Sequence, residues 1–354
     1  MLAIGARIAS VKIAILALCA AALVAAAAAQ SEDWGDFDAE WANSPEYEAS
    51  KALCRSLRTR EPPASDRPTP QQAAALRGCS SESLYYGIGR PADPERARLC
   101  AFVEADEGSN GPFAGRTTLM AIYANGAGVR RDLEIAIHLA CGVEGAPAES
   151  HGRVTHLAEL REQGWTGTDF HFCNDITSGL AGGVCADHEA TIAGARREAE
   201  LDRISGRFAP SQDRAFAALR AAHGAYVDAH GDGEVDLSGT LRAAMQIGAQ
   251  EALRDELLET VRLLERGGEQ PYGPGDFRRA DADLNTAYRV ALRADHGDHP
   301  GAVTAEGIRT AQRAWLRYRD AVLAFAALRH PGVPRDALAA LLTVQRTRLL
   351  APED

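Results

Sequence analysis

Two stretches of this chain repeat one another. Gly87, Gly89, Asp93 and Ala97, in YYGIGRPADPERARL, stand 39 residues ahead of Gly126, Gly128, Asp132 and Ala136, in IYANGAGVRRDLEIAIHL. A period in this range belongs to stacked helical solenoids, in which each unit buries its apolar face against the next. The glycines end one helix with positive φ. Asp93 and Asp132 fall where the next helix needs an N-cap. Ala97 and Ala136 are small residues where two helices touch. Composition agrees, with alanine abundant and aromatic residues only 6%, a balance that favours helix over strand. The 354 residues point to more than one compact unit.

The second half repeats itself differently. SQDRAFAALRAAHGAYVDA from Ser211 and TAQRAWLRYRDAVLAFAA from Thr310 align at an offset of 99, which matches Phe216 with Trp315, Leu219 with Tyr318 and Arg220 with Arg319. Long helical patterns precede and follow both. The expected fold is all-α: a short helical-repeat solenoid, then a helical bundle of two degenerate three-helix units. The boundaries are 1–29 for a targeting segment, 30–70 for an acidic and Pro-rich segment, 71–165 for the repeats and 170–354 for the bundle. Its units run at about 171–268 and 276–350.

Residues 1–29 read as a signal peptide, with Arg7 and Lys12 in a positive n-region, an apolar run, and small residues before Gln30. Bulky Leu18 makes Cys19 a poor lipid-attachment site. Removing the segment takes the formal charge from −11 to −13. The expected location is periplasmic or secreted. Six cysteines remain, Cys54, Cys79, Cys100, Cys141, Cys173 and Cys185, and an even number in an oxidising compartment reads as three disulfides. No Cys-x2-Cys or Cys/His cluster suggests a metal. Residues 31–50 hold seven carboxylates and no base. They read as a solvated leader; the competing reading is an arm folded onto a basic patch through Trp34, Phe37, Trp41 and Tyr47.

Two resemblances follow from these motifs. YANGAGVRRD and its looser counterpart GIGRPADP resemble the Sel-like repeats, relatives of the tetratricopeptide repeat, over about Gln71 to Gly164; such repeats serve as binding surfaces. Cys173-x11-Cys185, then ADLNTAYR with Asp283, Asn285 and Tyr288, AQRAWLRYRD with Gln312, Trp315, Tyr318 and Arg319, and LTVQRTRLL resemble the lysozyme inhibitor LprI-like domain over Phe172 to Leu350. Leu323 stands where that family carries a cysteine, so the second unit lacks its own disulfide. The resemblance implies an exported, non-catalytic binding protein that needs no cofactor and blocks a cell-wall hydrolase such as lysozyme. An envelope scaffold acting through the repeats is the alternative. Cys173 pairs with Cys185, whose eleven-residue loop lets the chain fold back ahead of a helix. Cys54–Cys79 and Cys100–Cys141 are preferred for the rest, with Cys79–Cys100 as the competitor.

Other motifs are weaker. Ala311, Trp315, Tyr318, Val322 and Phe325 make an apolar helical stripe, while Arg309, Arg313 and Arg317 line another face. Eight arginines against three carboxylates between Glu306 and Leu349 leave a basic end on an acidic chain. Carboxylates such as Asp281 and Asp283 are the expected partners, with Arg319 pairing Asp283. DAHGDGEVDLSG resembles a calcium loop from Asp228, but His230 replaces an oxygen ligand and Gly239 stands where a bidentate glutamate must be. A polar turn, with Ser238 or Thr240 capping the next helix, is preferred. DHGDH at 295–299 reads as a solvated loop. No nucleophile, P-loop or general-base constellation stands out, and the acidic total argues against nucleic acid. The expected partner is a protein, with no metal and no membrane anchor after processing.

Overall fold

The computed structural model describes residues 33–273 and 275–351; the expected signal segment lies outside them. The described residues are 68% helical, with thirteen α-helices and no strand. The first seven are α1 (Glu48–Ser56), α2 (Pro70–Ala75), α3 (Ser81–Tyr86), α4 (Pro94–Asp106), α5 (Gly115–Asn125), α6 (Leu133–Cys141) and α7 (Pro147–Glu162). From α3 to α7 each helix packs against the next. Local chemistry sets their ends. Asp93 accepts from the Arg96 N–H at the start of α4, and Asp132 from those of Glu134 and Ile135 at the start of α6. Gly87 and Gly126 close α3 and α5 in the left-handed region, at φ 73° and 65°. Ala97 and Ala136 are fully buried. Gly128 has a second reason to lack a side chain: a Cβ there would sit 2.7 Å from the Glu95 nitrogen at the start of α4.

The N-terminal segment is not a solvated leader. Trp34 is only 4% exposed, stacks with Phe37 and meets Tyr47 edge-on, and donates through Nε1 to Ser50 Oγ at 2.9 Å. Its backbone N–H donates to Cys141 O. Lys51 is 5% exposed and donates to Phe37 O, Ala42 O and Asn43 Oδ1, with its ammonium 5.0 Å from the Trp34 ring. The segment's apolar aromatic surface outweighs its charge, because burying a large ring stabilises by more than its exposed carboxylates lose. The arm covers the solenoid's apolar core rather than a basic patch, although Arg55 and Arg58 pair with Glu48 and Asp36. Trp41 stays 68% exposed.

This fold-back corrects the disulfide pairing. The bonds are Cys54–Cys141, Cys79–Cys100 and Cys173–Cys185, with Cα–Cα distances of 5.7, 6.1 and 6.0 Å. The preferred Cys54–Cys79 and Cys100–Cys141 pairs do not form. The α3–α4 hairpin brings Cys79 to Cys100, and the folded arm sets α1 against α6 and α7, which carries Cys54 to the end of α6.

The remaining helices are α8 (Gly179–Ser205), α9 (Pro210–Gly233), α10 (Arg242–Glu265), α11 (Asp276–Ala291), α12 (Ala305–Arg329) and α13 (Arg335–Leu350). α8 packs on α10, α11 on α13, and α9 on α12. The last pair is antiparallel: Gly233 at the end of α9 abuts Gly307 near the start of α12, and Gln212 near the start of α9 donates to Leu328 O. Helices matched at the 99-residue offset are therefore neighbours, with Phe216, Leu219, Trp315 and Tyr318 buried in one core. α8 joins the two halves. Cys185 belongs to the first core and Leu201 to the second, and His188 near the start of α8 bonds Glu82 of α3 and stacks on Phe113 at 3.6 Å.

Candidate interaction site

The apolar stripe of α12 lies in the core: Ala311, Trp315, Tyr318, Val322 and Phe325 are all buried. Arg309, Arg313 and Arg317 are exposed on its other side. The first two share one carboxylate, Glu306, at 3.6 and 2.9 Å, and hydrogen bonding to Arg313 holds that carboxyl below the usual range. Arg317 has no carboxylate within 4 Å among the described residues. Arg319 does not pair with Asp283. It bonds its neighbour Asp320 at 3.0 Å and lies over the Trp315 and Phe277 rings, while Asp283 is exposed. The guanidinium thus lies between Trp315 of its own helix and Phe277 at the start of α11, an arrangement arginine favours, and leaves Asp283 further along α11 without it. Asn285 donates back to Asp281, and Tyr288 packs part-buried against the bundle core.

Gln312 has a role that its motif did not suggest. Its Oε1 accepts from Arg346 Nε at 2.9 Å. Arg346, fully buried on α13, also donates to Glu234 Oε2 at 2.7 Å and to Glu234 Oε1 at 2.5 Å, and lies over the Tyr226 ring. His230 meets the same carboxylate at 2.8 Å. Burial raises the Glu234 carboxyl, and the bonds from Arg346 and His230 more than reverse that, leaving it below the ordinary value. The bidentate pair thus binds the end of α9 to α13 across the bundle. Nearby Glu256 has no such partner: burial pushes it up to about 7 against the opposing charges of Arg346 and Arg348.

The same network disposes of the calcium-loop resemblance. Asp228, His230 and Asp232 lie within α9, which runs through Gly231 and Gly233; a Cβ at these glycines would meet Gln250 and Gly307. A helix cannot wrap its side chains around one ion as a loop does. Ser238 and Thr240 do not cap α10, which starts behind Leu241 without a side-chain cap. In 295–299, His296 bonds Ala291 O and His299 meets Asp236 at 3.5 Å. Among the described residues, one group of three side chains has metal-ligand spacing, Cys79, Cys100 and Glu104, and its two cysteines are joined as a disulfide.

The solenoid motif and the bundle motif do not converge on one site. Gly87, Gly89, Gly126 and Gly128 all take positive φ in turns of the first half, whereas Gln312, Trp315 and Tyr318 are core residues of the second. Local motifs missed the Arg346–Glu234 pair because its members stand 112 residues apart. The described helices include none long and apolar enough to cross a membrane.

Residues 274–350 match the family model described as Lysozyme inhibitor LprI. The match takes in α11, α12 and α13 and so covers less than a quarter of the chain; it does not extend back to Phe172 or to the repeats. No curated protein and no solved structure matches. Residues 274–350 are thus similar to the LprI family, and no comparison names the residues before them.

Proposed function

We propose that this chain is an exported, non-catalytic binding protein of the bacterial envelope, and that its partner is a lysozyme-type muramidase. The observation that carries the reading is the LprI match over residues 274–350. Three disulfides suit an oxidising compartment. A charge of −13 after loss of 1–29 suits a basic partner, since opposite fields speed encounter. Arg309, Arg313 and Arg317 would repel such a partner. The contact therefore falls on the acidic half, where exposed Trp41 lies close in sequence to Asp38, Glu40 and Glu46 and next to the Sel-like solenoid. In this reading 30–70 and 71–165 form the recognition part and 170–354 the LprI-like domain that carries it.

A second reading takes the solenoid as a scaffold for envelope proteins. The stacked helices α3–α7 favour it, since such arrays expose broad binding surfaces. The two readings separate in a cell-wall lysis assay with purified mature protein and lysozyme across a salt series. Inhibition that weakens as salt rises is expected of the first. No inhibition at micromolar concentration and low salt rejects it and leaves the scaffold.

A further inference from the structure

A cleft of about 430 Å³ opens between the helices α5–α7 and the start of α8. Pro112, Val143, Phe172, Leu180 and Val184 give it apolar walls. Leu180 is 82% exposed there, an apolar side chain with nothing over it. The charged lining residues are Glu144 and Glu149, and none is basic. Glu144 is exposed and has no cation within 4 Å among the described residues. Glu149 Oε1 accepts from the N–H groups of Thr177 and Ser178, while Oε2 accepts only from Ala146 at 3.1 Å. Burial raises the Glu149 carboxyl, and hydrogen bonds from Thr177, Ser178 and Ala146 more than reverse that, leaving it below the ordinary value.

One polar group of this wall lacks a partner. Thr117 lines the cleft, is 2% exposed, and its hydroxyl makes no hydrogen bond. Behind the Gly145 turn, outside the lining, lies the fully buried Arg153, whose Nη1 donates to Val143 O and whose guanidinium lies over the Phe172 ring. A buried polar group without a partner carries its desolvation penalty, so the Thr117 hydroxyl is a group that a ligand's polar atom could satisfy. The cleft's volume falls in the range of ligand sites, and its chemistry, apolar walls with a few convergent polar groups, is theirs too.

We propose that this cleft receives an aliphatic side chain from an extended, basic segment of a partner protein. The apolar walls take the side chain. The Thr117 hydroxyl and the second lone pair of Glu149 Oε2 take the polar groups of the segment's backbone, which offers a donor and an acceptor side by side. Glu144 faces the basic flank. Charge complementarity selects this occupant: the exposed Glu144 has no cation beside it among the described residues, no basic residue lines the cleft, and the chain as a whole is acidic. A sugar would need an exposed aromatic face to stack on, and Phe172 is buried. The inference rests on the reading of a basic protein partner and adds the surface that meets it.

The test has two arms. The first uses the full mature protein, isotope-labelled, with the probe acetyl-Lys-Leu-Lys-amide. The probe is expected to shift the methyl signals of Leu180 and Val184, and its Ala counterpart to bind about tenfold more weakly for want of the side chain. Leu180→Asp, on an exposed position, is expected to remove the response without changing the melting temperature; Glu144→Lys is expected to weaken it severalfold. Absence of methyl shifts, or equal binding of the Leu and Ala probes, overturns the proposal. So does a response to N-acetylglucosamine with none to the peptide, which would make the cleft a sugar site. The second arm puts Leu180→Asp in the lysis assay. If the native protein inhibits lysozyme and the variant inhibits equally, the cleft is not the contact and the proposal falls. If the native protein does not inhibit, the muramidase reading falls alone, and the peptide arm still decides the cleft.

Discussion

Arg346 and Glu234 stake the bundle on one buried ion pair, with Gln312, Tyr226 and His230 satisfying the remaining valences. Removing one member leaves a buried charge without its counterpart. Arg346→Met is expected to lower the unfolding free energy by about 3–5 kcal/mol in urea titration, and Arg346→Met with Glu234→Leu to recover most of that. Glu256 makes a prediction of opposite sign. Its folded pKa, about 7, lies above the ordinary 4.5, so the stability it contributes is complete below pH 4.5 and lost as pH rises through 7. Glu256→Gln is expected to be more stable than the native protein at pH 8, by about 2 kcal/mol, and indistinguishable at pH 4. Features confined to a few neighbouring residues were legible in the sequence. Asp93 and Asp132 cap helices within three residues of themselves, and Gly87 and Gly126 end them on the spot. Lys51 was not legible: its acceptors Phe37, Ala42 and Asn43 are collected only when the arm closes.

At the scale of elements, helix existence and the 99-residue correspondence of α9 with α12 could be read from period and offset, because each helix announces its apolar face along its own length; that the two corresponding helices pack on one another could not. What could not be read is which helices α1 would meet, and with it the Cys54–Cys141 bond; Cys79–Cys100, the competing pair, needs only the α3–α4 hairpin. Where α1 goes depends on the arm, whose seven carboxylates masked the aromatic surface that folds it. The turn glycines distinguish two costs. Gly89 has φ 69° with open space around it, and Gly128 has φ 68° with the α4 backbone against it. Gly89→Ala is expected to cost about 1 kcal/mol, from the left-handed conformation alone. Gly128→Ala is expected to cost about twice that or more, because helix α4 must also move. Paired melting curves of the two variants check the difference.

Over the whole molecule, His171 and His223 respond to acid in concert. Burial lowers both to about 4, beneath the ordinary 6.5, so the stability they contribute is present above pH 6.5 and lost as pH falls through 4. With Glu256 acting in reverse, the melting temperature is expected to peak near pH 6 and decline on both sides; His223→Gln, which keeps a hydrogen-bonding group for Leu253 O, is expected to flatten the acid limb. The disulfide Cys54–Cys141 carries a consequence of another kind, one of timing. A chain that emerges from its N-terminus presents Cys54 and then Cys79 long before Cys141, 87 residues behind the first. The first oxidation open to it joins Cys54 to Cys79, which is a wrong bond, and one that leaves Cys100 without its partner. The native set is then reached only by thiolate attack on that early bond. Maturation is therefore expected to depend on a disulfide isomerase, and rapid alkylation of nascent, partly emerged chains to trap the Cys54–Cys79 species before any Cys54–Cys141 is seen.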